Sequence, residues 1–357
     1  MEEWKEYKLG EITVMKNGKK RPHKEGCYPV YGGNGIMDYS SDFNSEKVVI
    51  VGRVGAYCGC VYKCDKKCWV SDNAIAVFPK ESVDFHFLYY LMSILDFHHH
   101  HIGGAQPLMT QDIIGDFNIK LPSLNVQHQI ASILKSLDDK IEVNRRINDY
   151  LEQQAQALFK SWFVDFEPFK DGEFVESELG MIPKGWRVGT LSELLDIKYG
   201  KDHKKLKDGN VPVYGSGGIM RKVEKPLYSG ESVLIPRKGT LNNVIYVNED
   251  FWTVDTMFYS IPKVNNVALF TYLFLLGKDL ASMNAGSAVP SMTTEILNNM
   301  LIVIPGFDAL ESFNSICSSI FRIIKHNEQE SSRLSSLRDT LLPRLMSGEL
   351  KINDISV

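Results

Sequence analysis

The second half of this chain repeats the first at a period of about 183 residues, and this duplication limits the folds it can adopt. Residues 28–37 correspond to 211–220, and the pair Leu121-Pro122 corresponds to Ile304-Pro305. Single residues match in the same order: Trp4 with Trp186, Arg53 with Arg237, Pro107 with Pro290, Met109 with Met292 and Thr110 with Thr293. Chance does not place so many matches in order, so the sequence predicts a duplicated protein.

Each copy has the same internal layout, which predicts an α+β fold. Short apolar runs separated by Gly, Asn and Pro clusters are typical of strands joined by loops, and they occur at 47–51, 73–78, 232–235 and 243–247. Residues 85–95 and 267–277 have the pattern of short helices packed on these strands. We therefore expect two tandemly repeated, strand-rich domains.

A long helix is predicted after each strand-rich region. Apolar residues there alternate in steps of four and three, which is the spacing of a coiled-coil seam. At about 1.5 Å per residue each helix would be about 55 Å long, which suits a spacer. We expect the two helices to pair as an antiparallel coiled coil with pseudo-two-fold symmetry, through a seam that includes Leu137, Ile141, Asn144, Leu151, Ile320, Ile324, Asn327 and Leu334.

Two asparagines occupy equivalent seam positions near the midpoints of these helices. In an antiparallel pair related by a pseudo-two-fold axis, only midpoint residues face their own copies, so Asn144 is predicted to meet Asn327. Such a polar contact would fix the register of the pair. The alternative is that both are merely tolerated polar residues of the seam.

The repeat and the helices divide the chain into six predicted segments. The first half comprises a strand-rich domain and a helix, an acidic linker follows, and the second half repeats the arrangement before a short tail. The boundaries are 1–122 for the first domain, 123–164 for the first helix, 165–185 for the linker, 186–305 for the second domain, 306–348 for the second helix and 349–357 for the tail.

Composition excludes several classes of protein. The chain has 357 residues, a formal net charge of −4 and 44% hydrophobic residues, which is globular rather than disordered. No apolar run reaches the roughly 18 residues that a membrane span needs. The acidic, polar N-terminus is unlike a signal peptide, and six cysteines without an export signal are typical of a reducing cytoplasm, where we expect this protein to work.

Two related but non-identical domains held apart by a helical rod suit the reading of two different half-sites on one DNA duplex. Half-sites on one face of B-DNA are separated by about 34–36 Å, a distance that such a rod can bridge. Two other classes of function stay open. One is a coiled-coil scaffold without DNA specificity, and the other is a self-contained nuclease or methyltransferase.

These features together resemble the specificity (S) subunits of type I restriction–modification systems. The resemblance covers nearly the whole chain. It includes the duplicated domains, the Pro-Met-Thr segments, the linker sequence 178–186 (ELGMIPKGW) and the C-terminal sequence 337–350 (LRDTLLPRLMSGEL). Any one of these motifs alone would be weak, but in combination they are specific.

The resemblance implies a non-catalytic subunit that directs other proteins to DNA. Each domain would bind one part of a split target in double-stranded DNA, and the helices would set the gap. Two methyltransferase (M) subunits would dock on this chain, and restriction (R) subunits would join them. S-adenosylmethionine, ATP and Mg would then be bound by those partners and not by this chain, which would methylate no adenine itself.

The residues themselves also point to a chain without catalysis. The sequence has no Asp/Asn-Pro-Pro-Tyr segment and no Gly-x4-Gly-Lys-Ser/Thr phosphate loop. The glycine-rich segments 32–35 and 215–218 lack the lysine and hydroxyl of such a loop. They are typical of tight turns with positive φ angles.

Each copy carries a basic loop at the same place, the first at residues 16–24 and the second at 198–207. Phosphate neutralisation dominates the affinity of proteins for DNA, so these loops are predicted to contact the backbone. A solvated cationic surface is the alternative. The predicted contacts are Lys19, Lys20 and Arg21, beside His23, in the first loop and Lys201, Lys204 and Lys205 in the second.

Base reading is predicted for long polar side chains beside the glycine-rich and arginine segments. Shared residues are expected to have a common role, whereas divergent pairs such as Asn34/Ser216 and Val54/Lys238 are candidates for unlike half-sites. The predicted set is Tyr31, Asn34, Arg53, Tyr214, Ser216, Arg237, Lys238 and Asn242.

One cysteine cluster has to be weighed as a metal site. Cys58, Cys60, Cys64 and Cys68 could bind zinc. The second copy has no cysteines at the corresponding positions, so we favour a thiol-bearing hairpin and predict no metal site. The run 98–101 (HHHH) is interpreted as a polar surface segment.

Overall fold

The computed structural model describes residues 4–22, 24–103, 107–283 and 291–352. Two compact units divide the chain: Met1–Asn144 with Glu328–Val357 form the first unit, and Arg145–Asn327 form the second. Each long helix therefore contributes one half to each unit. The six predicted segments, in contrast, were divided at the ends of the helices. His23, Pro290 and the last part of the predicted tail, 353–357, lie outside the described residues.

The strands of the first unit form a six-stranded sheet and a separate antiparallel pair. The sheet order is β2-β7-β5-β6-β3-β4, and β1 pairs with β8. Neighbours in the sheet are antiparallel except β3 and β6. The strands are β1 (Lys5–Lys8), β2 (Thr13–Asn17), β3 (Tyr28–Gly32), β4 (Gly35–Ser40), β5 (Ser45–Gly52), β6 (Val61–Val70), β7 (Ala74–Pro79) and β8 (Asn118–Leu121).

Helices pack against one face of this sheet. They are α1 (Leu9–Ile12), α2 (Phe85–Ser93), α3 (Gln111–Gly115) and the long α4 (Leu124–Phe163), with 3₁₀ turns at Gly55–Tyr57 and Phe97–His100. Asp84 caps α2 by accepting a hydrogen bond from the Phe87 amide at 2.8 Å.

The central strand β5 is buried on both faces, which explains its continuous apolar run. Val49 belongs to one hydrophobic core with Phe87 of α2. Its neighbour Ile50 belongs to a second core with Tyr31 and Val70. Successive side chains of a strand point to opposite faces, so one strand serves both cores.

The second unit repeats the sheet, with the order β12-β17-β15-β16-β13-β14, and β11 pairs with β18. The parallel contact between β13 and β16 corresponds to that between β3 and β6. The strands are β9 (Phe174–Ser177), β10 (Gly180–Pro183), β11 (Arg187–Thr190), β12 (Leu195–Tyr199), β13 (Asp208–Gly215), β14 (Gly218–Val223), β15 (Tyr228–Pro236), β16 (Ile245–Thr253), β17 (Met257–Pro262) and β18 (Leu301–Ile304).

The helices and the core of the second unit also follow the first. The helices are α5 (Leu191–Leu194), α6 (Val267–Leu276), α7 (Thr294–Asn298) and the long α8 (Phe307–Met346), with a 3₁₀ turn at Glu167–Phe169. Val233 of β15 packs with Phe270 of α6, whereas Leu234 packs with Phe251 on the other face. The duplicated α+β fold predicted from the repeat is therefore confirmed.

The predicted linker is more structured than its composition suggests. Strands β9 and β10 pair as an antiparallel hairpin, which the acidic sequence did not predict. Trp186 follows this hairpin, and its ring lies 4.8 Å from that of Phe169 between centroids. No helix within the described ranges is both long and apolar enough to cross a membrane.

The long helices run antiparallel within each unit. In the first unit Asp138 of α4 contacts Arg338 of α8, and Asn144, further along α4, contacts Ser331, earlier in α8. In the second unit the ring of Phe163 lies 4.7 Å from that of Phe313. The predicted coiled-coil pairing is thus present, and each 40-residue helix is about 60 Å long.

Both seam asparagines are buried and hydrogen-bonded in their own units. In the first unit the Asn144 amide donates to Glu330 Oε2 at 2.7 Å and to Ser331 Oγ at 3.3 Å. In the second unit the Asn327 amide donates to Asn148 Oδ1 at 2.8 Å. Both are therefore specific polar contacts of the seam. The direct pairing of Asn144 with Asn327 stays a prediction.

Candidate nucleic-acid interface

A two-residue hairpin turn projects from the edge of each sheet. In the first unit the turn Gly33-Asn34 joins β3 to β4, and the side chain of Asn34 is exposed. In the second unit the turn Ser216-Gly217 joins β13 to β14. Both turns end at a glycine with positive φ, +92° at Gly35 and +106° at Gly218, which only glycine adopts at little cost. These pairs are called the hairpin tips below.

An arginine-containing loop lies beside the first hairpin tip. A β-carbon added to Gly33 would lie 3.5 Å from Val54 O, so the two segments are in close contact. The Arg53 amide donates to Asn73 O at 2.9 Å, and Arg53 O accepts from the Met109 amide at 2.8 Å. The guanidinium of Arg53 reaches Asp72 O at 3.4 Å. The backbone of this arginine is therefore fixed from two sides.

The second unit builds the same loop beside its own tip. Arg237 O accepts from the Met292 amide at 2.9 Å, and the guanidinium donates to Asp255 O at 3.3 Å. A β-carbon added to Gly239 would lie 2.7 Å from Ser216 Oγ, which places the loop against the tip. The structure thus brings together the predicted residues Ser216, Arg237 and Lys238, of which Lys238 is exposed.

The Pro-Met-Thr segments hold these loops, a role that sequence analysis did not assign to them. Met109 and Met292 are almost fully buried, at 0% and 1% exposure, and their amides bind the arginine carbonyls. The following threonines, Thr110 and Thr293, cap α3 and α7 through their hydroxyls, both at 3.2 Å. The recurrence of the motif in both copies was the signal that could have revealed this support.

The first basic loop is fixed to the sheet through its backbone. The Lys19 amide donates to Val70 O at 3.0 Å, and the Trp69 indole donates to Lys19 O at 3.2 Å. The side chains of Lys19 and Lys20 are exposed. Arg21, by contrast, forms an ion pair with Asp38 of β4. The loop therefore runs beside the hairpin that carries Asn34.

The second basic loop is held by equivalent contacts. The Lys201 amide donates to Thr253 O at 2.9 Å, and the Trp252 indole donates to Lys201 O at 2.8 Å. Lys204 and Lys205 are exposed. The tryptophans that match in the repeat, Trp69 and Trp252, thus position the two basic loops.

Two of the predicted residues are buried. Tyr31 and Tyr214 are 9% and 8% exposed and belong to the cores behind the hairpins. The Tyr214 hydroxyl donates to Glu249 Oε1 at 2.7 Å, and that of Tyr31 to Lys63 O at 3.4 Å. Burial raises the pKa of Tyr31, so its hydroxyl stays protonated. This placement fits common support of the fold rather than base reading.

Asn242 is exposed, but both ends of its amide are bonded within the second unit. Its nitrogen donates to Asp279 Oδ1 at 3.1 Å, and its oxygen accepts from the Ala281 amide at 2.9 Å. The bond from Asn242 lowers the pKa of Asp279. A base contact by Asn242 would therefore require these bonds to break.

The cysteines of the weighed metal site lie in different cores. Cys58 packs in the core that contains α2, whereas Cys64 and Cys68 pack with Tyr31 on the other face of the sheet. Within the described ranges no group of three or more His, Cys, Asp and Glu side chains is placed to hold a metal ion. In the histidine run, His99 instead contacts Asp96 at 2.7 Å.

The fold and these surfaces define a duplicated recognition protein. In each unit a sheet presents a hairpin tip, an arginine loop and a basic loop close together. Exposed lysine side chains can bind DNA phosphates, and polar side chains at an adjacent hairpin tip can form hydrogen bonds with base edges.

Comparison with known proteins identifies the family. The family model for the Type I restriction modification DNA specificity domain matches residues 1–153 and 183–334. The specificity subunit of the type I restriction enzyme MjaIX from Methanocaldococcus jannaschii is 28% identical over 311 residues, with 78% of this chain and 72% of that protein covered. The HindI specificity subunit of Haemophilus influenzae is 27% identical, with 69% and 72% covered.

The fold has also been observed in a solved structure. The crystal structure of a type I restriction-modification S subunit from M. genitalium superposes with a TM-score of 0.66 at 19% identity, and the match covers 97% of this chain and 96% of that one. The chain belongs to the family of type I restriction–modification DNA specificity subunits. It is a non-catalytic, DNA-recognising subunit, and the catalytic activities of these systems lie in partner subunits.

Proposed function

We propose that each unit binds one half of a split DNA target and that the long helices set the gap between the halves. One observation carries this proposal. The same arrangement of tip, arginine loop and basic loop occurs in both units, but the residues at equivalent exposed or half-buried positions differ. The register of the two hairpins pairs Gly33 with Ser216 and Asn34 with Gly217, so the expected pairing of Asn34 with Ser216 is wrong, and the polar tip residue stands at a different place in each turn. In the arginine loops Val54 corresponds to Lys238. Identical scaffolds with different polar groups are suited to reading two unlike half-sites.

The basic loops supply affinity in this proposal and the tips supply specificity. Lys19 and Lys20 in one unit, and Lys204 and Lys205 in the other, are exposed beside the hairpins and would neutralise phosphates. Lys201 extends the second group, whereas Arg21 would have to exchange its ion pair with Asp38 for a phosphate.

Base reading is assigned to the divergent exposed side chains. Asn34 suits adenine, and Lys238 suits guanine, by the hydrogen-bonding groups that these bases present in the major groove. Arg53 and Arg237, which are shared, would make the same contact in both halves. Tyr31, Tyr214 and Asn242 would act by supporting the loops, since their polar groups are already bonded.

The family supports a role for this chain within a larger complex. Specificity subunits of type I systems act with methyltransferase and restriction subunits and with DNA, and we propose two methyltransferase subunits for this chain. S-adenosylmethionine, ATP and Mg would be bound by these partners, and adenine would be the methylated base. The long helices offer docking surfaces, because each carries exposed apolar side chains: Val143, Ile147, Tyr150, Ile316, Ile323 and Leu337. The free cysteines support action in the cytoplasm.

Methylation mapping tests the proposal directly. Adenine methylation would be mapped by single-molecule sequencing in cells that express this chain with its methyltransferase and in cells that lack this chain. We expect a split motif with two unlike halves that is present only with this chain. Exchange of residues 1–122 for the corresponding domain of another specificity subunit should change one half and leave the other half intact.

Two results would contradict the proposal. Methylation that is unchanged when this chain is deleted would favour the scaffold alternative. A short, continuous motif would refute the assignment of one half-site to each unit. Val49→Asp, a substitution in the core, is the control for loss of folding. It should abolish methylation of the whole motif, whereas the domain exchange should change one half only.

A further inference from the structure

Each hairpin exposes a pair of large apolar side chains just beyond its tip. Ile36 and Met37 in the first unit are 50% and 39% exposed. Ile219 and Met220 in the second unit are 59% and 61% exposed. The residues that follow differ in charge between the copies, yet the Ile-Met pair is the same. Because the Ile-Met pair is the same while the next residue changes from Asp38 to Arg221, the pair points to a role that both units share.

A β-bulge places the methionine in both hairpins. In the first unit Val30 lies opposite Asp38 and Tyr31 lies opposite Ile36, so Met37 is the extra residue. In the second unit the same shift leaves Met220 as the extra residue. A bulge interrupts the regular alternation of side chains and re-aims one of them, and such bulges are frequent beside functional sites.

The methionine lies over a glycine of the opposite strand in both units. A β-carbon added to Gly32 would lie 1.9 Å from Met37 Sδ, and one added to Gly215 would lie 2.6 Å from Met220 Sδ. The thioether occupies the space that a side chain at this position would fill. The glycine therefore allows the methionine to pack against the opposite strand. The glycine, the bulge and the methionine therefore have the same arrangement in both hairpins.

The basic loops run alongside these apolar pairs. Arg21 of the first loop pairs with Asp38, the residue after Met37. In the second unit Arg221, the residue after Met220, donates to Leu206 O of the second basic loop at 3.0 Å. An apolar patch bordered by exposed lysines is complementary to a DNA groove, where phosphates form the rims and base edges form the floor.

We propose that the pairs Ile36-Met37 and Ile219-Met220 enter the major groove and contact the 5-methyl group of a thymine in each half-site. This inference rests on the proposed function. A two-stranded β-ribbon fits the major groove, which is about 12 Å wide, and not the minor groove at about 6 Å. The thymine methyl is the apolar group that base pairs present in the major groove. The tips then read what distinguishes the half-sites, and the apolar pairs read what the half-sites share.

The test uses the assembled complex of the full chain with its methyltransferase subunits and a duplex carrying the mapped motif. Each thymine is replaced in turn by deoxyuridine, which lacks only the 5-methyl group. We expect one position in each half-site to weaken binding about fourfold, the effect of burying one methyl-sized group. The variant Ile36→Ser/Met37→Ser should lose this sensitivity in one half-site, and Ile219→Ser/Met220→Ser should lose it in the other.

Matched controls separate a specific contact from general loss of apolar surface. Ile94→Ser and Val264→Ser remove side chains of similar exposure, 40% and 42%, away from the hairpins, and should retain the sensitivity to deoxyuridine. The proposal is overturned if the double-serine complexes keep the parent's response, or if a half-site contains no thymine on either strand. It is also overturned if these variants lose the methyltransferase subunits on size-exclusion chromatography, because the patch then docks protein. A parent complex without any split motif would refute the proposed function as well.

Discussion

Asp138 of α4 and Arg338 of α8 form an ion pair in the first unit, with Oδ1 and Nη1 2.7 Å apart. The other carboxylate oxygen accepts a hydrogen bond from the Tyr90 hydroxyl at 2.5 Å. Tyr90 is on α2, which covers the sheet, so one carboxylate joins the recognition domain to both long helices. In the second unit apolar residues occupy the corresponding positions, namely Leu273, Phe321 and Ala155.

Loss of this carboxylate should destabilise the first unit. Asp138→Leu leaves the Arg338 guanidinium and the Tyr90 hydroxyl without their shared partner. Because the pair is about one quarter exposed, we expect a loss of about 1–3 kcal/mol in the free energy of unfolding, below that of a fully buried pair. Urea denaturation of the full chain measures it. Asp139→Leu, at an exposed neighbouring position, is the control and should change stability by less than about 0.5 kcal/mol.

The two buried tyrosines should respond unequally to removal of their hydroxyls. Tyr214→Phe removes a 2.7 Å bond to a carboxylate, whereas Tyr31→Phe removes a 3.4 Å interaction with a backbone carbonyl. We expect a cost of about 1–2 kcal/mol at Tyr214 and less than about 0.5 kcal/mol at Tyr31, measured by urea denaturation. Neither change should alter the methylated motif. An altered motif would assign these residues to base reading after all.

The exposed lysines of the basic loops should govern affinity without governing specificity. Lys19→Ala/Lys20→Ala and Lys204→Ala/Lys205→Ala are expected to weaken binding to target and non-target duplexes alike. The slope of log K against log salt should fall by about 0.9 for each phosphate that the variant no longer neutralises. Fluorescence anisotropy of the assembled complex across salt concentrations measures both quantities.

Two lysines on another part of the sheets provide the control for that series. Lys80 and Lys263 occupy equivalent positions, and each donates to a backbone carbonyl, that of Glu11 and that of Ser192 respectively. Their replacement by alanine should leave the salt slope unchanged. Equal effects in both series would mean that the loops contribute only net charge.

Substitution of a hairpin tip should change one half of the motif only. Asn34→Ala removes the amide that we assign to a base edge, and its loss should cost about 1–3 kcal/mol of discrimination at one base pair. Ser216→Ala should act on the other half. Methylation mapping with each variant measures the change. If Asn34→Ala altered both halves, the assignment of one half-site to each unit would be wrong.

Periodicity explains why the fold was predictable from sequence and the detailed site was not. Heptad spacing and a repeat of about 183 residues are properties of many residues together, so they predicted two α+β domains and paired helices. The burial of Tyr31 and the bonds made by Asn242 depend on which strands become neighbours. The bulge at Met37 depends on register, which local sequence does not specify. Recurrence in both copies indicated a shared role for Tyr31 and for Met37, whereas nothing in the sequence indicated the bonds of Asn242.

Alkaline pH should destabilise the second unit through Cys317. Burial raises the pKa of this thiol to about 12, above the value near 8.5 expected in an unfolded chain. The thiol is protonated in both states at pH 7, so its contribution to stability is complete there. As pH rises above about 8.5 the unfolded thiol ionises while the folded one stays protonated. The free energy of unfolding therefore falls by about 1.4 kcal/mol per pH unit. Between pH 8 and 10 the parent should therefore lose about 2 kcal/mol more than Cys317→Val, measured by urea denaturation. Parallel losses in the two proteins would mean that folding does not raise the pKa of the Cys317 thiol.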